Sequence, residues 1–145
     1  MIVVDTNVLV YAADNASPHQ SACAAWIEAR RSRPDAWYIT WSIVYEFLRV
    51  TTHQRVLRRP WSLRAAWAFI DVLLASPGLT ILVATDRHAE VAAAVIDELP
   101  ELAGNLLHDM HTVVLMREHG VARICTRDAD FHRFAFLEVI DPLRA

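Results

Sequence analysis

Lysine is absent from this chain, and all 14 of its basic residues are arginine. That absence excludes a Walker A phosphate loop, whose lysine contacts the phosphates, and Schiff-base catalysis, which needs a primary amine. Glycine is scarce as well, with three in 145 residues, which leaves little room for a Gly-rich phosphate cradle. The two cysteines, Cys23 and Cys125, make no CxxC or zinc-ribbon spacing. No apolar run approaches the roughly 20 residues of a membrane span, and the most apolar stretches are interrupted, as Trp67-Ala68-Phe69-Ile70-Asp71 is. Met1-Ile2-Val3-Val4-Asp5 lacks the charged start and long apolar stretch of a signal peptide. The expectation is a reduced, cytoplasmic protein with no membrane partner.

What the chain does contain is enough apolar material for a core. With 54% hydrophobic and 21% charged residues it lies outside the low-hydropathy, high-charge regime of disorder. Single cores organise roughly 100 to 200 residues, so 1–145 is expected to be one domain, too short for an eight-fold βα barrel of about 250 residues or a two-domain dinucleotide enzyme. A net charge of −3 argues against a protein coated in nucleic acid and leaves a local basic stripe open.

Residues 1–4 are apolar and largely β-branched and end at Asp5, which suits a strand buried on both faces. A helix is expected over 7–13, a longer one from Ser17-Pro18 to about Arg31, and a strand around Tyr38-Ile39 after Pro34-Asp35. The next helix, 42–52, is apolar nearly all round except for Glu46 and Arg49, which predicts packing on several sides. Another runs from Ser62 to just before Pro77-Gly78, followed by a strand over Leu79–Val83. A helix over 86–98 takes Asp86 as its cap, and Gly104-Asn105 introduces one that Gly120 stops. Arg123-Ile124-Cys125 reads as a strand, 128–133 as a turn of helix, and Leu137–Ile140 as a last strand before Pro142. Short strands alternating with helices imply parallel crossovers, and ligands then collect beyond the carboxyl ends of the strands. That rule points to Asp5 and to Thr126-Arg127-Asp128.

Two further acids sit among apolar positions. Asp109 shares a helical stripe with Leu106, Met110 and Val113, and Glu46 is flanked by Ile43 and Val50 at i−3 and i+4. A buried carboxylate costs several kcal/mol (roughly) unless paired or bound to a cation, so inward acids demand partners. Each has a blander explanation: Asp5 and Asp128 as helix caps, Asp130 as a solvated neighbour, Glu46 and Asp109 as partners of arginines. Those explain the set poorly. Converging carboxylates repel one another, and Mg²⁺ or Mn²⁺ is the natural counterion for hard oxygen ligands.

These residues carry a resemblance over essentially the full length. Val3-Val4-Asp5-Thr6-Asn7, Glu46, Leu107-His108-Asp109 and Thr126-Arg127-Asp128-Ala129-Asp130-Phe131 resemble the PIN-domain ribonucleases, in particular the VapC-type toxins of bacterial type II toxin–antitoxin pairs. The resemblance implies an α/β fold in three layers, α/β/α, with a five-stranded parallel sheet of order 3-2-1-4-5. It implies Asp5 and Asp109 as principal metal ligands and Glu46 and Asp128 as the rest of a catalytic quartet. Thr6, Asn7, Thr126 and Asp130 take positioning roles, and Asp130 competes with Asp128 for the place of fourth acid. The implied reaction is Mg²⁺- or Mn²⁺-dependent endonucleolytic hydrolysis of RNA by a metal-activated water, without a covalent enzyme intermediate. Implied partners are the RNA, a cognate antitoxin and a second copy of the chain.

The densest basic stretch runs from Arg49 through Arg55, Arg58 and Arg59 to Arg64, with His53 and Trp61 interleaved, and suits RNA phosphates and bases. A solvated face or an antitoxin contact explains it equally well. Trp26, Trp61 and Trp67 are read either as core or as interface. Competing functions are a PIN nuclease of RNA processing or decay, a zinc hydrolase built on His108, Asp109, His111 and His132, and a non-catalytic binding module. His111 has no role in the resemblance.

Overall fold

A computed structural model describes all residues, 1–145. The β-branched opening forms β1 (Ile2–Val4), and its three residues are all buried. It becomes the centre of a sheet completed by β2 (Trp37–Thr40), β3 (Leu79–Leu82), β4 (Arg123–Cys125) and β5 (Glu138–Ile140). Every pairing is parallel, in the order β3-β2-β1-β4-β5. Burial falls towards the edges, where β3 and β5 carry exposed residues, as expected when helices cover the middle of both faces best.

Parallel neighbours need crossovers, and helices supply them: α1 (Thr6–Ala13) and α2 (Gln20–Arg31) before β2, α3 (Trp41–Thr51) and α4 (Leu63–Leu74) before β3, and α5 (His88–Glu98) and α6 (Leu106–Glu118) before β4. A 3-10 turn, Ala129–Arg133, leads towards β5. β1 has β2 on one side and β4 on the other, so the strand order reverses at β1 and opens a crevice at the carboxyl ends of β1 and β4. Asp5 and Asp128 leave the sheet at that crevice. A cluster of 30 buried apolar residues, Leu9, Trp37, Phe47, Met116 and Phe131 among them, joins the layers.

The α/β architecture and strand order are those expected, and the departures have local causes. The second helix begins at Gln20 because Ser17 Oγ accepts from the His19 amide at 3.1 Å and holds a turn outside it. Asp86 does not cap the fifth helix. It is exposed, while Thr85 Oγ1 accepts from the Arg87 amide at 3.2 Å and also donates to Glu118 Oε1 at 2.7 Å, which anchors the turn one residue earlier. Nor is α3 packed on several sides. Ile43, Val44, Phe47 and Leu48 are buried, with Phe47 stacked on Phe69 at 5.0 Å, whereas Trp41 and Tyr45 face water.

Gly78 is required where the chain enters β3: a Cβ there would lie 2.2 Å from the carbonyl oxygen of Asp35. Gly120 ends the last long helix at φ +67°, a conformation that favours glycine. No helix is long and apolar enough to cross a membrane.

Candidate active site

Asp5 leaves β1 in extended backbone and caps α1, its Oδ1 accepting from the Thr6 amide at 2.8 Å. The capping explanation is therefore correct and incomplete. Oδ2 accepts from Asn7 Nδ2 at 2.9 Å and from Thr126 Oγ1 at 2.8 Å, which ties the end of β1 to the end of β4. Thr126 also accepts from Asn7 Nδ2 and from the Asp128 amide, each at 3.0 Å. Asn7 Oδ1 in turn accepts from the Arg127 amide at 3.2 Å. Burial raises the Asp5 carboxyl to about 6 despite the bonds from Thr126 and Thr6, and the charges of Glu46 and Asp128 push the same way. The polar groups of Asn7 and Thr126 are thus spent on holding acids, a correction to their expected contact with substrate. Thr6 likewise donates from Oγ1 to Glu46 Oε2 at 3.3 Å.

Carboxylate oxygens of Asp109, Asp128 and Asp130 lie within 4.8 Å of one another. Asp128 caps the 3-10 turn, its Oδ1 accepting from the Asp130 amide at 2.9 Å, and Asp130 has Arg133 at 3.5 Å. Asp109 has neither a hydrogen bond nor an ion pair. Burial, followed by the charges of Asp5, Asp128, Asp130 and Glu46, pushes its carboxyl up to about 7. Glu46 departs from expectation: its side chain is 45% exposed, with Arg49 at 3.7 Å, because it stands beside the buried stripe of α3 and at the cleft's mouth. Burial therefore demands no partner for it.

Asp5, Glu46, Asp109, Asp128 and Asp130 line one cleft of about 730 Å³, together with Ser42, Tyr45, Arg49, His108 and Thr112. Arg55, Arg58 and Arg59 are outside it, exposed on the segment after α3, where Arg58 and Arg59 border another cleft with Asp14, Asn15 and Trp61. The histidines assemble no donor set with Asp109. His111 Nδ1 lies 3.1 Å from Ser42 Oγ, its ring meets the ring of His88 edge-on at 5.7 Å, and His132 borders a neighbouring groove with Arg123, Arg127 and Arg144. The three carboxylates are the one cluster whose spacing suits a metal ion.

A PIN-domain profile matches residues 2–137. The chain belongs to the PIN-domain family. Within it, two Mycobacterium tuberculosis relatives are similar over nearly their whole length: ribonuclease VapC33, 33% identical over 147 residues covering 99% of each chain, and ribonuclease VapC48, 32% identical over 138 residues covering 95% of this chain and 94% of that one. Solved structures at lower identity share the PIN fold. The M. tuberculosis VapC20 toxin, which cleaves the sarcin-ricin loop, superposes with a TM-score of 0.69 at 19% identity over 96% of this chain and 98% of its own. VapBC2 from Rickettsia felis, bound to a promoter DNA fragment, gives 0.67 at 16% identity over 97% and 98%.

Two features of this PIN domain escaped the sequence reading. Ser42 and Tyr45 line the acid cleft although neither bears a charge; their signal was a position within one helical turn of Glu46. Glu118 reads as a solvated helix end, yet its side chain is enclosed, accepting from the Thr85 amide at 2.8 Å and approached by His88 Nδ1 at 2.7 Å. Burial raises the Glu118 carboxyl, but these bonds outweigh it and hold it below the ordinary value. The partners of Glu118 lie about thirty residues earlier in the chain.

Proposed function

We propose that this PIN domain is a divalent-metal-dependent endoribonuclease and the toxin of a toxin–antitoxin pair. The observation that carries the reading is the crowding of Asp109, Asp128 and Asp130 within 4.8 Å, with Asp109 left without any cationic or hydrogen-bonding partner. A donor set made only of carboxylate oxygens suits a hard cation, Mg²⁺ or Mn²⁺. Asp109 offers it both oxygens. Asp5 keeps one lone pair on Oδ1 after its three hydrogen bonds, and Asp128 keeps its second oxygen. In this assignment Asp5 and Asp109 are the principal ligands, Asp128 and Asp130 close the set, and Glu46 serves at the mouth.

A cation held there neutralises the acids, lowers the pKa of water and offsets charge on the phosphate under attack. The protein's own groups do the positioning. Asn7 and Thr126 orient Asp5, Thr6 orients Glu46, and Arg49 meets a phosphate at the rim. Arg55, Arg58 and Arg59 serve RNA contacts farther from the acids. Support for the activity comes from the ribonucleases at 32–33% identity, and support for the toxin role and the antitoxin partner from the named VapC20 toxin and from VapBC2. Association as a homodimer belongs to the same reading.

The test is cleavage of a mixed cellular RNA pool by purified protein, wild type beside Asp109→Asn, in EDTA, Mg²⁺, Mn²⁺ or Zn²⁺. Discrete fragments are expected with Mg²⁺ or Mn²⁺ alone, and the substitution should slow cleavage by about 100-fold or more. Full activity in Asp109→Asn removes the acid mechanism, and activity confined to Zn²⁺ moves the chemistry to histidine.

A further inference from the structure

We infer that Trp41 and Tyr45 form the platform on which an unpaired base of the RNA stacks beside the phosphate held at the acids. The inference rests on the ribonuclease reading and narrows its substrate to RNA with an unstacked base at the cut, in a single strand or a loop.

Helix α3 buries one face and leaves these two aromatics in water, Trp41 44% and Tyr45 67% exposed. Four residues apart, they share a face of the helix with about 6 Å between their Cβ atoms. The contrast with the opposite face is sharp, since there Phe47 meets both Phe69 and Trp61. Neither exposed ring pairs with another aromatic or with an arginine, although Trp26 and Phe136 each carry a guanidinium on their face. The Tyr45 hydroxyl makes no hydrogen bond. The fold therefore gives these rings no structural task, and their position suggests one: Tyr45 lines the acid cleft beside Glu46, with Ser42 three residues before it and Arg49 four residues after it.

Continuity and charge select the occupant. A nucleotide carries its base and phosphate on one sugar, so a strand whose phosphate reaches the acids lays a neighbouring base against the cleft wall, and Tyr45 is that wall. The Arg49 side chain, 67% exposed, meets the next phosphate. A broad apolar protein surface fits worse, because Ser42, Glu46 and Arg49 border the two rings with polar groups. A base locked in a duplex keeps its stacking partners and cannot use the platform. Stacking on an aromatic is worth about 1–3 kcal/mol per base, enough to dominate the choice between paired and unpaired RNA.

The experiment measures binding by fluorescence anisotropy in the Asp109→Asn background with Mg²⁺, so that RNA stays intact. Three labelled probes of about 12 nucleotides are compared: a single-stranded mixed-sequence RNA, the same strand annealed to its complement, and an abasic strand with the same backbone. Tyr45→Ala and Trp41→Ala should each weaken binding of the single strand about 5- to 100-fold and leave the duplex and abasic probes unchanged, while Tyr45→Phe stays within about twofold of its parent. Equal binding of the single strand by Tyr45→Ala and its parent overturns the platform. So does an equal loss for the abasic strand, a loss in Tyr45→Phe as large as in Tyr45→Ala, or a switch from dimer to monomer in place of any effect on RNA. If the wild type cuts no RNA in the pool assay, the ribonuclease reading itself falls, and the platform with it; cleavage with intact binding by Tyr45→Ala removes the platform alone.

Discussion

A hydroxyl has one proton to give and two lone pairs to offer, and Thr126 uses all three, on Asp5, on Asn7 and on the Asp128 amide. It is also 1% exposed, so no water stands ready to replace it. Replacing it with valine keeps the shape and strands three polar partners at once, each short of one bond. Leaving buried groups unsatisfied costs about 1–3 kcal/mol, and thermal melts of Thr126→Val should register a loss of that size. Asp5 would then be oriented only by its neighbours in sequence. RNA cleavage should fall by about tenfold or more while Thr126→Ser retains most of it; a Thr126→Val protein that melts and cleaves like wild type would show that Asp5 needs no tether to β4. In sequence the residue is legible only as a threonine at a strand end. That it serves an acid 121 positions away depends on β4 pairing with β1, which no local pattern encodes.

At the level of elements, most of the layout was legible because strands and helices announce themselves by burial period and by Pro, Gly and capping residues. The β-branched run before Asp5, the proline before Ser62 and the glycine after the last long helix each marked a boundary the structure has. Period says which positions are apolar and not which are covered, and this is why α3 looked enclosed while its Trp41 and Tyr45 side stands open. The same limit applied to the turn before α5, where Asp86 was the better cap on local chemistry and Thr85 won through Glu118. Glu118 is thus the polar joint between α5 and α6, and its effect has a defined dependence on pH. Its folded carboxyl lies below the ordinary value, so its contribution is present above the unfolded pKa and is lost as pH falls through the folded one. Glu118→Gln should cost about 1–3 kcal/mol near pH 7, with the gap to wild type closing in acid. Urea denaturation at pH 7 and pH 3.5 would measure it; a gap that persists unchanged at low pH would assign the loss to packing and not to charge.

For the whole molecule, the important fact is that its acids are concentrated at one crevice of a chain whose net charge is only −3. Folding brings them together and is opposed by their repulsion, most strongly at Asp109. Metal-free, the folded protein holds Asp5 near 6 and Asp109 near 7, both above the 3.8 of an unperturbed aspartate. Between those limits the folded state binds more protons than the unfolded one, so stability must fall as pH rises from about 4 to about 7 on account of these groups. A divalent cation takes over the role of the protons. It should therefore raise the melting temperature more at pH 8 than at pH 5, by an amount that grows with the logarithm of its concentration. Asp109→Asn removes the least tolerated charge. Without metal it should be more stable than wild type at pH 8, by about 1–2 kcal/mol once screening in the open cleft is allowed for, and equal to it near pH 4. With Mg²⁺ the order should narrow or reverse, because the variant gains less from the ion. Calorimetric melts of both proteins at pH 5 and pH 8, with EDTA and with a Mg²⁺ series, separate the possibilities. Equal stabilisation of the two by Mg²⁺, or a metal-free wild type that is the more stable of the pair at pH 8, would mean that the crowded carboxylates are not where the cation acts.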